Sequence, residues 1–447
     1  MKIKIPEKAP DISSMTLDDH KKIQSMMTDE VFGAVISQAN KKYLYWDRFK
    51  YKVPKDLIDP RSAWFYLKQI RISQRKSIPI IDLQNRSFNY WLPSQVMQYL
   101  HQIDCFAGGQ ISLDDPIINR ESKERYLINS LMEEAVSSGL LEGAATTQKQ
   151  GKAMLLSGRK PKTKADRMIY NNYQTIRKLE SVKNEPLSVE LLNKIHREIT
   201  DKTLEEQEAC GRFRTEYDDP VQVKDDQGMV LFDPPAVQEI NERIENLIQF
   251  TNSEKADDEF IHPVIKAIIL HFLLAYIHPF VDGNGRVARA LFYWFMLKKG
   301  YWMVEYLSIS PILYKAPAQY ARAFLYTEND DQDLTYFISY HLKVLDLAFK
   351  QLRAYIEKKQ RKVKLFSDVF KTHLDLNPRQ TMLLQHALRH SGHIYTIQNH
   401  KIYHGVTYQT ARTDFLNLTK RKIMEKIKRG KTFYFTLRKD VEKFLDA

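Results

Sequence analysis

The sequence predicts a mainly α-helical protein, and three stretches carry that expectation. "RYLINSLMEEAVSSGLLEG" sets Leu127, Leu131 and Ala135 on one stripe with Ile128, Met132 and Val136 beside it, the i, i+4 spacing of an amphipathic helix. "VQEINERIENLIQFTN" reads the same way, while "PVIKAIILHFLLAYI" is apolar nearly all round, as a central core helix must be. The first helix should stop near Gly143, because glycine accepts the left-handed backbone that ends helices. The last should stop at about Ile277, since Pro279 cannot continue a helix and biases His278 away from helical angles.

A chain of 447 residues is too long for one ordinary core, so two or three domains are expected. Its 43% hydrophobic and 28% charged residues are those of a soluble globular protein. "MKIKIPEKAP" has no apolar leader, and the run Ala267 to Ile277 is too short to span a bilayer, so a cytoplasmic protein without a membrane partner is expected. Cys105 and Cys210 are far apart and form no CxxC pattern, which argues against a disulfide framework and a structural zinc site.

Three segments emerge. Residues 1–115 are rich in aromatics, among them Tyr43, Tyr45, Trp46, Phe49, Trp64, Phe65 and Trp91; we read them as a helical extension without chemistry of its own. Residues 116–355 hold the three helices above. Residues 356–447 begin with the charged connector "IEKKQRKVK". A second charged connector, "SGRKPKTKADR", lies inside the middle segment. Residues 361–447 contain 18 Lys and Arg against 7 Asp and Glu, or +11 of the total +13, so the basicity belongs to the tail. Such a tail suits polyanion binding, with a merely solvated surface as the alternative.

The chemistry is concentrated in "HPFVDGNGRVAR", His278 to Arg289. His278 would stand at the end of a buried helix. Gly283 and Gly285 permit a tight loop, and the apolar run "VARALFYWFML" signals a new helix behind it. A glycine loop entering a helix N-terminus directs free N–H groups and a positive dipole end at one point, which is an anion site. Arg286 and Arg289 share a face and could reach one polyphosphate. Asp282 offers a hard oxygen of the kind that holds Mg²⁺ with phosphates, and a histidine beside such a cradle suits acid–base work. Together these residues point to phosphoryl or nucleotidyl transfer. His262 and His271 have no carboxylate at ligand spacing and are expected in cap or core roles, and Phe280 as an anchor of the loop.

The stretch resembles the signature of the Fic family, H-P-F-x-[DE]-G-N-G-R-x-x-R, at all nine specified positions. "GRFRTEYDDPVQV", "FDPP" and "LKKGYW" are also similar to Fic sequences, so the likeness covers roughly residues 120 to 340. The resemblance implies a Fic-type helical core and a protein adenylyltransferase that moves AMP from ATP to a Ser, Thr or Tyr hydroxyl of a target protein. It implies His278 as base, Asp282 as Mg²⁺ ligand, Gly283, Asn284 and Gly285 as anion cradle, and Arg286 and Arg289 as phosphate ligands. Residues from about 215 to 231 would form a β-hairpin flap that aligns the target by main-chain pairing, here made acidic by Glu216, Asp218 and Asp219. "SSGLLEGA" fits the family's inhibitory pattern [ST]-x-x-x-E-[GN] through Ser138, Glu142 and Gly143, on a helix expected at about 123–143. Glu142 would then pair with Arg289 and hold the enzyme inactive, a carboxylate taking the arginine's bidentate face. A homodimer is a further expectation of the resemblance.

In the tail, the text from Tyr395 to Arg438 reads as a short helix, a turn at His404 and Gly405, a helix capped by Thr407, and two strands around "KRGK". Ala411, Phe415 and Leu418 form its apolar stripe. Gln409, Arg412, Thr413 and Asn417 lie opposite as candidate DNA contacts, with Lys426, Lys428, Arg429 and Lys431 on the hairpin. This resembles a winged helix-turn-helix domain, a class that also serves in protein docking and dimerisation. Three rival functions stay open, the first being transfer of a different nucleotide or phosphoryl group. Glu142 could position a water for removal of AMP from a modified protein, or the pocket could sense nucleotide for a DNA-binding regulator.

Overall fold

The computed structural model describes residues 3–54, 59–105, 120–225, 227–253, 260–372, 376–389, 393–429 and 432–438. Among these, 3–105 with 129–349 form one compact unit and 120–128 with 350–438 a second. The fold is mainly helical, with three small antiparallel sheets among the described residues.

The chain opens with helices α1 (Leu17–Met26), α2 (Glu30–Lys42), α3 (Trp46–Phe49) and α4 (Pro60–Gln74), then a hairpin of β1 (Lys76–Ile81) and β2 (Ser87–Tyr90), and α5 (Ser94–Ile103). The aromatic residues that mark this segment are its core: Phe32, Tyr45, Phe49, Trp64 and Phe65 are buried together. Their cluster includes Tyr336 from α15, introduced below. A buried ionic knot adds direction to this contact: Lys68 Nζ lies 2.6 Å from Asp330, Arg75 Nη2 lies 2.6 Å from Asp333, and Arg71 donates to the Tyr336 hydroxyl at 2.9 Å. Buried charges persist only when paired. The segment read as a helical extension thus carries a hairpin as well, and its side chains are tied to residues 330–336.

The next elements are α6 (Arg120–Leu141), α7 (Gln148–Ser157), α8 (Lys164–Val182) and α9 (Val189–Thr200), then the strands β3 (Val223–Lys224) and β4 (Val230–Phe232). Helices α10 (Ile240–Asn252), α11 (Pro263–Ile277) and α12 (Asn284–Lys298) follow, then α13 (Ser310–Lys315), α14 (Pro317–Asn329) and α15 (Thr335–Thr372). Side-chain caps start several of them: Thr163 accepts from Asp166 N and Ser188 from Leu191 N. α11 begins with Pro263 at its first position behind His262, whose side chain accepts from Val264 N. α11 packs against α12, and α12 also against α8 and α9. Consistent with its unbroken apolar text, α11 is buried from Val264 to Leu274. α15 continues helically through "IEKKQRKVK", so that connector is a helix rather than a loop.

The second unit contains α16 (Pro378–Arg389), β5 (Tyr395–Thr396), α17 (Ile397–His404), α18 (Tyr408–Lys420), β6 (Met424–Arg429) and β7 (Thr432–Leu437), the strands ordered β5-β7-β6. Gly405 ends α17 in the left-handed region, and Thr407 caps α18 by accepting from Thr410 N. Ala411, Phe415 and Leu418 are buried against Leu384, Ile397, Met424 and Phe435. Gln409, Arg412, Thr413 and Asn417 are exposed. Lys431 and the Arg429 side chain lie outside the described residues. Asp414, which the sequence did not single out, is the polar centre of this core. It accepts from Asn377 Nδ2 at 2.7 Å and Arg379 Nε at 2.9 Å, and its Oδ2 lies 3.1 Å from His400 Nε2. Burial pushes its carboxyl up, and these hydrogen bonds outweigh that and hold it below the usual range.

Candidate active site

His278 caps the C-terminus of α11 with φ 51°, a left-handed conformation uncommon for a residue with a side chain. Its N–H still bonds Leu274 O at 3.0 Å, and its Nδ1 lies 3.1 Å from Ala275 O. A carbonyl only accepts, so Nδ1 carries the ring proton and Nε2 keeps its lone pair. Burial pushes the imidazole below its ordinary value of 6.5, which keeps the ring neutral.

The loop that follows is held from several sides. Phe280 is fully buried, its ring stacked on His196 with centroids 3.8 Å apart. Asn284 is also buried, and its amide brackets the Phe280 backbone: Oδ1 accepts from Phe280 N at 2.9 Å and Nδ2 donates to Phe280 O at 2.7 Å. The Asn284 side chain therefore fastens the loop and offers only its backbone N–H to the cradle. His196 Nδ1 accepts from Gly211 N at 2.9 Å, which leaves Nε2–H to donate to Asp282 O, also at 2.9 Å. Arg214 donates from Nε to His278 O at 2.9 Å and from Nη2 to Pro235 O at 2.5 Å, and its N–H bonds Pro279 O.

α12 starts at the glycines. Gly283 is its N-cap at φ 88°, and a Cβ there would meet Thr200 Cγ2 at 2.8 Å. No side chain caps the helix, so its first N–H groups are available to an anion. Asp282, half exposed, lies 3.2 Å from Arg286 Nη2, and the buried Arg286 leaves its Nε without a hydrogen-bond partner. Arg289 is buried as well. It donates to Ser138 Oγ from Nε at 3.0 Å and from Nη2 at 2.9 Å, and Nη2 reaches Glu142 Oε1 at 2.8 Å. Glu142 thus takes one donor, not the bidentate face that the sequence suggested, because Ser138 occupies the other. The carboxylate sits directly over the loop: a Cβ on Gly285 would collide with Glu142 Oε1. Gly143 closes the helix at φ 82°.

Sequence reasoning missed the support of the inhibitory segment. Glu134, one and two turns before Ser138 and Glu142 on the same face, is buried and accepts from Ser310 N at 2.9 Å and Ser310 Oγ at 2.5 Å. It also missed His196, which nothing in its local spacing marks, and gave Arg214 no role although the quoted stretch from Gly211 contains it. His271 is buried with Nε2 2.8 Å from the Tyr320 hydroxyl, and His262 Nε2 lies 2.8 Å from Asp104 Oδ2, so neither histidine joins the loop.

The flap is present as β3 and β4, paired antiparallel from Val223 with Phe232. Its turn is organised by Asp225, which accepts from Gln227 N and Met229 N. Asp218 is not a free charge of the flap. Arg212 holds it bidentately, both bonds 2.7 Å, and lowers its carboxyl well below the usual range.

With this geometry in place, residues 186–296 match the Fic/DOC family model. The chain carries a Fic domain. Over 68 residues it is 37% identical to the protein adenylyltransferase Fic of Nematostella vectensis, 15% of this chain and 16% of that one. Over 70 residues it is 34% identical to the protein adenylyltransferase fic-1 of Caenorhabditis elegans, 16% of this chain and 13% of that one. The alignments thus span under a fifth of these relatives' length. A Fic family protein from Desulfovibrio desulfuricans overlays 77% of this chain and 94% of its own with a TM-score of 0.49 at 17% identity. Fic-1 from Caenorhabditis elegans overlays 78% and 91% with a TM-score of 0.47 at 19% identity. Among the described residues, no helix is long and apolar enough to cross a membrane.

Proposed function

We propose that the Fic domain transfers AMP from ATP to a Ser, Thr or Tyr hydroxyl of a target protein. The observation that carries this reading is a neutral histidine, fixed by Ala275 O, directly preceding an uncapped helix N-terminus with two buried arginines. In the proposed step, His278 Nε2 takes the hydroxyl proton, the hydroxyl oxygen bonds the α-phosphorus, and the bond to the β-phosphate oxygen breaks to release pyrophosphate. The N–H groups of the first turn of α12 and Arg286 hold the phosphates, the orphaned Arg286 Nε being a donor set in search of an anion. The half-exposed Asp282 carboxylate fits Mg²⁺, which supplies charge neutralisation on the phosphates. Glu142 occupies Arg289 and the space over Gly285, so the resting protein is inhibited. Anion and carboxylate compete for one guanidinium.

A second reading, removal of AMP, is favoured by one observation: the Glu142 carboxylate sits over Gly285 in the loop that follows His278, and its charge favours the protonated imidazole even though burial prevails. Intact-mass measurement after incubation with ATP and Mg²⁺ separates the two. Glu142→Gly should gain one AMP, and Glu142→Gly/His278→Ala should gain none while keeping its thermal midpoint. AMP on both variants would overturn His278 as base. Loss of AMP from a modified substrate by wild type, abolished by Glu142→Gly, would favour removal. For the second unit we propose a nucleic-acid contact through the exposed face of α18, in an arrangement like that of a winged helix. The alternative is protein docking through the same face.

A further inference from the structure

A cavity of about 330 Å³ opens beside the last turn of α11, lined by Ile80, Leu83, Phe88, Glu242, Arg243 and Tyr276 among others. Tyr276 and Ile277, which form part of its wall, directly precede His278. The flap reaches the same wall, for the Phe232 ring lies 4.9 Å from that of Tyr276. Arg214 closes the connection by holding Pro235 O, just past the flap, and His278 O at once. A polypeptide paired with β4 and presenting a hydroxyl to His278 therefore passes this opening.

The cavity is built by three separate parts of the chain, the β1–β2 hairpin, α10 and the last turns of α11. One rim comes from the β1–β2 hairpin, where Ile81 and Leu83 are 40% and 41% exposed. The other rim is α10. Arg243 joins the two by donating to Ile81 O at 3.0 Å, to Asp82 O at 3.2 Å and to Glu239 Oε2 at 2.6 Å. This arginine is thereby committed. Glu242, exposed on the same rim, makes no hydrogen bond or ion pair among the described residues. The rim carries two carboxylates against one guanidinium, and its excess charge is negative.

We propose that this cavity takes a lysine or arginine side chain of the target polypeptide, flanking the hydroxyl that is modified; the proposal rests on the transferase reading above. Such a side chain lays its aliphatic stem along apolar walls and keeps its charged head at the edge, where Glu242 stands. An acidic side chain would meet repulsion, and a purely apolar one would leave Glu242 unused. The flap repeats the preference. Residues 215–233 hold one lysine and six carboxylates, and among the described ones only Asp218 is spent on an arginine. The hairpin of the N-terminal segment thereby selects the target, a role that no motif in that segment announces.

The test is a set of peptides with one central Thr, Ser or Tyr, scanned with Lys, Arg, Leu or Glu at each flanking position. The full chain carrying Glu142→Gly is assayed with ATP and Mg²⁺ for AMP incorporation, and anisotropy of the same labelled peptides reports binding without chemistry. One flanking position should favour Lys or Arg over Glu by roughly tenfold. Adding Glu242→Lys should reverse that order, and Glu242→Gln should abolish it. AMP transfer without a flanking preference, or with one that ignores the charge at residue 242, would overturn the proposal and leave the transferase reading standing. Charge-dependent binding that follows residue 242 without AMP transfer to any peptide would support the cavity and remove the transferase reading. Absence of both binding and transfer would overturn the proposal.

Discussion

The first turns of α12 and the open face of α18 both carry arginine close behind a helix N-terminus, yet Arg286 and Arg289 are each 2% exposed while Arg412 stands in solvent. The charge count of the sequence found the second region and not the first. A buried guanidinium cannot be left to water, so each hydrogen bond around it must come from the protein or from a ligand. Arg289 has Ser138 and Glu142, and Arg286 has Asp282 and Ile199 O with its Nε to spare. Those few bonds fix geometry, as phosphoryl chemistry requires. An exposed arginine fixes nothing, and gives instead a screened attraction that tolerates many partners. Positive charge in a sequence therefore points to where a polyanion can dock, while buried positive charge is where one can be reacted.

The most severe challenge to this contrast is acid. His271 and His341 are both buried, their rings 4.8 Å apart, and burial pushes both below 6.5, His341 to about 3. Groups with folded values so depressed give stability that is complete above pH 6.5 and lost as pH falls toward 3, because the unfolded chain takes up the protons first. Urea unfolding followed by tryptophan emission should show the first unit weakening by several kcal/mol across that window, and His341→Leu should flatten the slope. A wild-type midpoint unchanged between pH 6.5 and 4 would break the argument that burial governs this interior.

A smaller effect sharpens the same contrast with one residue type in two settings. Asn284→Ala strips the Phe280 backbone of both its side-chain partners in a buried loop, and should cost about 3 kcal/mol together with activity. Asn417→Ala, on the exposed face of α18, should stay within about 0.5 kcal/mol. Chemical denaturation of the two variants side by side checks the difference. Equal losses would mean that the loop is held by its glycines and Phe280 rather than by Asn284.

What the sequence disclosed follows from how local each signal is. The end of α11 at Ile277, the glycine N-cap of α12 and the cap, stripe and turn of α17 and α18 all depend on residues within a few positions, and they were legible. The pairing of Glu142 with Arg289 spans 147 positions and was expected only through resemblance to a family pattern, while the bonds of Ser138 to the same arginine were not foreseen. Where no pattern existed, distance hid the contact. Glu134 meets Ser310 across 176 positions, His196 meets Asp282 across 86, and Arg214 meets His278 across 64. Asp414 and its three partners were hidden in the same way, since a lone carboxylate within a basic tail reads as a solvated charge. The resemblance also left one detail open. It put Asn284 in the cradle without saying how; the side chain turns inward to the loop it fastens, which leaves its backbone N–H for the cradle.

The smallest expected effect concerns Arg412, and it decides which use the open face of α18 has. Arg412 makes no described bond that its loss could break, so Arg412→Ala should leave the denaturation midpoint within about 0.5 kcal/mol of wild type. Binding to mixed-sequence duplex DNA should weaken, and the slope of log affinity against log salt should become shallower by about one, the mark of a single phosphate contact removed. Wild-type binding that ignores salt, or a slope that Arg412→Ala leaves alone, would assign the face to protein docking instead. In that case Tyr408 and Leu416, exposed on the same helix, become the residues to change next, because a protein partner is held by aromatic and apolar side chains at the centre of its interface.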